Sequence, residues 1–152
     1  MNHADRAEEL FTKGYNCAQA VFGAFSEECG IPLDQALKLS SSFGGGIGRL
    51  REVCGAVSGM VMVAGALYGY DTPEVGEDKG KHYARVRELC ADFEQKNSSL
   101  ICRDILGKRR AEVGGKPAER TEHFYSTRPC IKCVRDAADA MERYILENPI
   151  EK

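Results

Sequence analysis

Between Val53 and Tyr70 the chain runs eighteen residues without a charged side chain. Such a stretch must be hidden from water, in a membrane or in a protein core, and eighteen residues is the lower limit for a membrane-spanning helix. Cys54, Gly55, Ser58, Gly59, Gly65 and Gly69 make this one only mildly apolar. The neighbouring segments are amphipathic and would have nothing to cover if it left for a bilayer. The stretch, read as a helix over 50–69, is therefore expected to lie at the centre of a bundle, buried on all sides, with its small residues admitting other helices closely.

The rest of the chain supplies those neighbours. Ala7, Leu10, Phe11, Gly14, Ala18, Val21, Phe22 and Phe25 recur at the three-and-four spacing of one helical face, which predicts a helix over 4–28 stopped by Gly30. Pro32 suits a first helical position and opens a short helix over 33–42. Four glycines between 44 and 48 make a loop. Thr72-Pro73-Glu74 carries the signals of a helix start, and that helix runs to about Asn97 with Tyr83, Val86, Leu89, Cys90 and Phe93 on one face. Ser98 or Ser99 caps a short helix ended by Gly107. Residues 108–128 are polar, with Gly114-Gly115 and Pro117, and read as an irregular loop of the kind that forms lids, partner surfaces or disordered segments. A last helix runs from Pro129 to about Glu147, its core face formed by Val134, Ala137, Ala138, Met141, Tyr144 and Ile145. Period-two alternation is missing, so no sheet is expected. The fold class is all-α: one domain over 1–152, a compact helical bundle of five to six helices around the buried glycine-rich helix.

Composition narrows the function classes. Lys and Arg number 21 against 23 Asp and Glu, a net charge of −2 with no long run of either sign. Trp is absent. Nucleic acid is thus not an expected partner. The opening MNHADRAEEL is polar and acidic rather than a basic region followed by an apolar one, so no secretory signal is read and the cytoplasm is the expected location. Membrane insertion is not expected. A homodimer fits a helical assembly with a glycine-rich helix.

Seven cysteines are many for 152 residues. An odd count in a reducing compartment argues against a disulfide framework and for thiols that are catalytic, metal-bound or buried. Cys17 falls on the inward face of the first helix. Cys54 follows the glycine loop in the first turn of the uncharged helix, Cys102 lies in the first turn of the short helix, and Cys130 opens the last one. Unpaired N–H groups and the helix dipole at such starts favour negative charge, and the thiolate is the form that attacks and that binds metal. Arg49 and Arg51 beside Cys54, and Arg128 beside Cys130, favour it further. A single cysteine on a helical core face is more often inert packing, which is the reading for Cys29 and Cys90. Four thiols, three at helix starts, point instead to function, provided that they converge. Cys130-Ile131-Lys132-Cys133 is a C-x-x-C pair without the βαβ setting of a thioredoxin-like dithiol, and half of a zinc motif at best; Cys133 reads as incidental.

Other chemistry finds less support. The glycine loop lacks G-x-G-x-x-G spacing, a preceding strand and the Lys-Ser/Thr of a P-loop, so no nucleotide is expected. Its glycines let the backbone pass near Cys54 or simply make the turn. His3, His82 and His123 show no paired ligand spacing and read as surface residues. Ser40, Ser41, Ser42 and Ser58 lack the context of a hydrolase nucleophile.

The segments Gly14-Tyr15-Asn16-Cys17-Ala18-Gln19-Ala20-Val21, Phe43-Gly44-Gly45-Gly46-Ile47-Gly48-Arg49 and Cys54-Gly55-Ala56-Val57-Ser58-Gly59, with the later Cys102 and Cys130, resemble the redox-active four-cysteine family labelled C_GCAxxG_C_C over nearly the whole chain. The label writes Gly-Cys-Ala where this chain has Cys54-Gly55-Ala56. The last family cysteine matches Cys130 or Cys133, and Cys130 is chosen for its distance from Val134-Arg135-Asp136-Ala137-Ala138. The resemblance implies a redox role. A similar domain occurs in split-Soret-type cytochromes, where an iron–sulfur site has been associated with it. Haem is not implied here, because Cys133 is followed by Val134 rather than His.

Three functions follow. In the first, Cys17, Cys54, Cys102 and Cys130 ligate an iron–sulfur cluster or another thiophilic metal for electron transfer or sensing, with an unidentified redox partner. In the second, a metal-free thiol–disulfide protein, Cys54 attacks and a second cysteine such as Cys130 resolves. In the third, the chain is a helical binding module with inert buried cysteines.

Overall fold

The computed structural model describes residues 1–150, and these are all-α: nine α-helices and one short 3₁₀ turn, with no strand. The helices are α1 (His3–Thr12), α2 (Cys17–Ala24), α3 (Ser26–Cys29), α4 (Leu33–Ser40), α5 (Gly55–Tyr68), α6 (Glu77–Asn97), α7 (Cys102–Leu106), α8 (Glu122–Thr127) and α9 (Cys130–Glu147); the 3₁₀ turn is Ser41–Phe43. Nine replaces the expected five to six, for local reasons.

The helix expected over 4–28 is three. Gly14 takes a left-handed φ of +109° that ends α1. Asn16 then starts α2 with a reciprocal capping box: its side chain accepts from the Gln19 N–H, and the Gln19 side chain accepts from the Asn16 N–H, both at 2.9 Å. Cys17 thereby becomes the first residue of a helix rather than a mid-helix core position. Thr72-Pro73-Glu74 lies outside α6, which starts after Gly76. The 108–128 segment is not irregular throughout: Thr121 caps α8 by accepting from the Phe124 N–H.

The core gathers α1, α2, α5, α6 and α9 around Phe11, Phe25, Phe93, Met60 and Met141, all fully buried. Each such side chain contributes about 1.5–3 kcal/mol of burial. α5 packs directly on α2: a Cβ on Gly59 would sit 2.7 Å from the Ala18 carbonyl oxygen. The burial of α5 is uneven. Gly55–Met60 are buried, whereas Gly65 and Ala66 are exposed, so burial on all sides holds only for its first half. Among the described residues no helix is long and apolar enough to cross a membrane.

The periphery is tied by charge and stacking. His3 lies between Glu28 and Glu142, 2.6 Å from each, with its ring stacked on Phe25. His3 and the buried His82 are therefore not the surface residues that their spacing suggested.

Candidate thiol site

Two backbone devices bring distant cysteines together. Residues 51–54 run antiparallel to 100–103: the Cys54 N–H donates to the Leu100 carbonyl (2.8 Å), the Cys102 N–H to Glu52 (2.6 Å) and the Arg103 N–H to Arg51 (3.3 Å). The start of α5 is thereby locked beside the start of α7. The glycine loop folds over the same point. Gly46 has φ +72°, and a Cβ there would stand 2.7 Å from both the Cys102 Cβ and the Glu52 nitrogen, so only glycine fits. Three non-glycine residues of this segment, Ile47, Arg49 and Arg51, also hold positive φ, a conformation that costs about 1 kcal/mol or more each. Asn16, just before Cys17, donates from its amide to the Ser41 carbonyl at 3.0 Å, joining the start of α2 to the approach of the loop.

The result is a cavity of about 490 Å³ whose wall contains Cys17, Cys54, Cys102, Cys130 and also Cys133. Cys17, Cys102 and Cys130 are the first residues of α2, α7 and α9, and Cys54 is the N-cap of α5. Cys133 is fully buried three residues along α9, on the same face as Cys130. Cys133, read from the sequence as incidental, lines the same cavity, and the C-x-x-C spacing on a helix is the signal that points to it. Cys29 and Cys90 are not in the wall. All seven thiols are free.

The thiols are unequal. Cys17 shares its proton with Cys130; that bond, with burial, pushes the Cys17 thiol well up. The same bond, together with Arg128, Arg120 and Arg51, outweighs burial at Cys130 and brings it down to about 7. Cys54 is likewise held down by a hydrogen bond from Cys133, helped by the backbone N–H groups of Ala56 and Val57 at the start of α5. Cys133 is pushed far up by that same bond and by burial. Cys102 is raised by burial although the Arg51 guanidinium stands 3.7 Å from its sulfur. Cys54 and Cys130 are thus the cavity thiols held down, while Cys17 and Cys133 are held up; the Cys133 thiol donates to the Asn97 Oδ1 at 3.6 Å.

The wall also holds Arg49, Arg51, Arg120 and Arg128 and no carboxylate. Arg51 donates from Nε to the Glu112 carbonyl at 2.9 Å, Arg120 to the Phe11 and Tyr15 carbonyls at 3.0 Å, and Arg49 to the Lys116 carbonyl. The 108–128 segment is in this way pinned across the cavity.

As a test of fit, the donor chemistry suits a thiophilic group: four thiolates are the usual complement of an iron–sulfur cluster, and helix N-termini and arginines compensate its negative charge. A single ion fits less well, since among the described residues no three His, Cys, Asp or Glu side chains group closely enough to hold one.

Comparison with known proteins gives one family. The model of the family described as "Putative redox-active protein (C_GCAxxG_C_C)" matches residues 15–144. No curated protein and no solved structure matches the chain.

Proposed function

The chain belongs to the family described as "Putative redox-active protein (C_GCAxxG_C_C)", and from that premise we propose that it holds an iron–sulfur cluster, or another polynuclear thiophilic metal centre, for electron transfer or sensing. The observation that carries the reading is the start of four separate helices with a cysteine at one cavity. Cys17, Cys54, Cys102 and Cys130 are the ligands. Such a cluster supplies one-electron redox chemistry. The protein's own residues contribute the rest: helix N-termini and Arg51, Arg120 and Arg128 favour the thiolate forms, and the pinned 108–128 segment limits access of water. Cys133, in the same cavity wall, acts next to the ligand set.

The pairing of the thiols favours a second reading, a metal-free dithiol protein. There the Cys54 thiolate attacks a disulfide sulfur of the substrate, and one substrate sulfur leaves as thiolate. Cys133 then gives up its proton and displaces the other, leaving a Cys54–Cys133 disulfide and a substrate reduced by two electrons. Cys130 with Cys17 is a second such pair.

Anaerobic purification, followed by measurement of iron, zinc and sulfide, the visible spectrum and the number of rapidly alkylated thiols, separates the readings. Bound iron with sulfide supports the cluster. Absence of metal with one or two hyper-reactive thiols supports the dithiol. Absence of both contradicts each and leaves an inert helical module.

A further inference from the structure

The arginines of the cavity stand apart by lining one wall that holds no carboxylate; Arg6, Arg85 and Arg110 also have no carboxylate partner among the described residues, but they do not share that wall. Arg135 pairs with Asp5 and Glu8, Arg143 with Asp92, and Arg103 with Glu52. Among the described residues Arg49, Arg51, Arg120 and Arg128 have no carboxylate partner. Backbone carbonyls hold Arg49, Arg51 and Arg120 in place, and Arg128 lies over the Phe124 ring with its guanidinium carbon 4.6 Å from the ring centre. A carbonyl fixes a guanidinium without neutralising it. The Nε of Arg49 is buried with no hydrogen-bond partner at all. Arg51 is only 3% exposed. Arg49, Arg120 and Arg128 are half-buried, and guanidiniums drawn out of water in this way gain from an anion that answers them. The only wall groups able to carry negative charge are the cysteines; joined in disulfides they carry none, and a cluster that they held would carry a net negative charge smaller than the positive charge of the four guanidiniums.

We propose that the cavity is also a binding site for a small molecule bearing phosphate or carboxylate groups, which docks on Arg49, Arg120 and Arg128 within reach of the cysteines. The volume of about 490 Å³ lies within the range of small-molecule sites. Planar guanidinium forks match oxyanions in two-point contacts. Phe11 and Phe124 flank the arginines and give an apolar wall for the body of the ligand. The proposal places the oxyanion among the arginines whether the neighbouring thiols hold a metal or act as dithiols.

The test is calorimetric titration of the anaerobically purified full chain with pyrophosphate, with citrate, and with sucrose as an uncharged control, at low and raised salt. Saturable binding of at least one oxyanion is expected, weakened by salt. Arg128→Gln should weaken it about tenfold or more, and Arg128→Lys by less, because it keeps the charge and loses the fork. Arg87→Gln, on the exposed surface of α6, should bind as the parent does. Iron and sulfide content of each variant, measured in parallel, separates loss of the anion site from loss of the cysteine site. Oxyanions that bind no better than sucrose, or equal losses in Arg87→Gln and Arg128→Gln, would overturn the proposal.

Discussion

The two ends of α5 use similar residue types for opposite purposes. At its start, Cys54 faces a cavity among unpaired arginines and strained backbone. At its end, Arg85 is fully engaged: its guanidinium carbon lies 4.6 Å from the Tyr68 ring centre and its Nε donates to the Tyr144 hydroxyl at 2.9 Å. The beside-lying His82 is held down by burial and by that arginine. One end packs a single guanidinium against rings and a hydroxyl, and the other gathers four guanidiniums with five thiols in a wall that holds no carboxylate. The glycines repeat the contrast. Gly59 sits against the Ala18 carbonyl, whereas nothing lies within 4 Å of a Cβ on Gly65. Positive-φ backbone and the cavity arginines thus coincide at one end of α5.

The sharpest way to break this comparison is thiol chemistry. In metal-free protein, iodoacetamide labelling of Cys130 should rise through about pH 7, whereas Cys29, raised to about 11 by burial and Glu28, should gain reactivity only in strong alkali. The thiolate fraction grows as pH rises through each pKa, so at neutral pH the Cys130 rate should exceed that of Cys29 by about fifty- to a hundredfold after allowance for the lower nucleophilicity of the more acidic thiol. Mass-spectrometric mapping of the labelled sites against pH checks it; equal rates would remove the distinction between the two groups of cysteines.

Backbone substitutions come next. Gly46→Ala should cost roughly 2–4 kcal/mol in denaturant unfolding, because φ is left-handed and the new methyl meets backbone. Gly59→Ala should cost about 1–3 kcal/mol by forcing α2 and α5 apart. Gly65→Ala, in the same helix, should instead stabilise by about 0.5–1 kcal/mol. If Gly59→Ala and Gly65→Ala behave alike, the close approach at the cysteine end does not control the packing of α5.

The all-α class was legible because apolar spacing at three and four persists through most of the chain, and α9 matched its expected start because Pro129 marks it. The break in the first helix was legible too, in Asn16 and Gln19, but the apolar periodicity runs through it and masked it. What the sequence could not supply was convergence. The pairing of 51–54 with 100–103 joins residues some fifty apart through backbone hydrogen bonds, which leave no side-chain pattern. Cys133 was hidden differently: its place in the cavity wall depends on how α9 packs against α2 and α5. The setting of the cavity arginines depends on carbonyls remote in sequence, Lys116 and Glu112 for Arg49 and Arg51 and Phe11 and Tyr15 for Arg120, and the 108–128 segment carries no periodicity to read.

The central claim is that cysteines gathered at the helix starts hold a metal–sulfur group. Its most direct test is the iron and acid-labile sulfide content of anaerobically purified protein, parent and single Cys→Ser variants side by side. Both should be present in the parent, fall to near zero in Cys54→Ser, drop strongly for Cys17, Cys102 and Cys130, and stay unchanged for Cys29 and Cys90. A parent free of iron and sulfide after anaerobic handling, or a content that Cys54→Ser leaves intact, would contradict it.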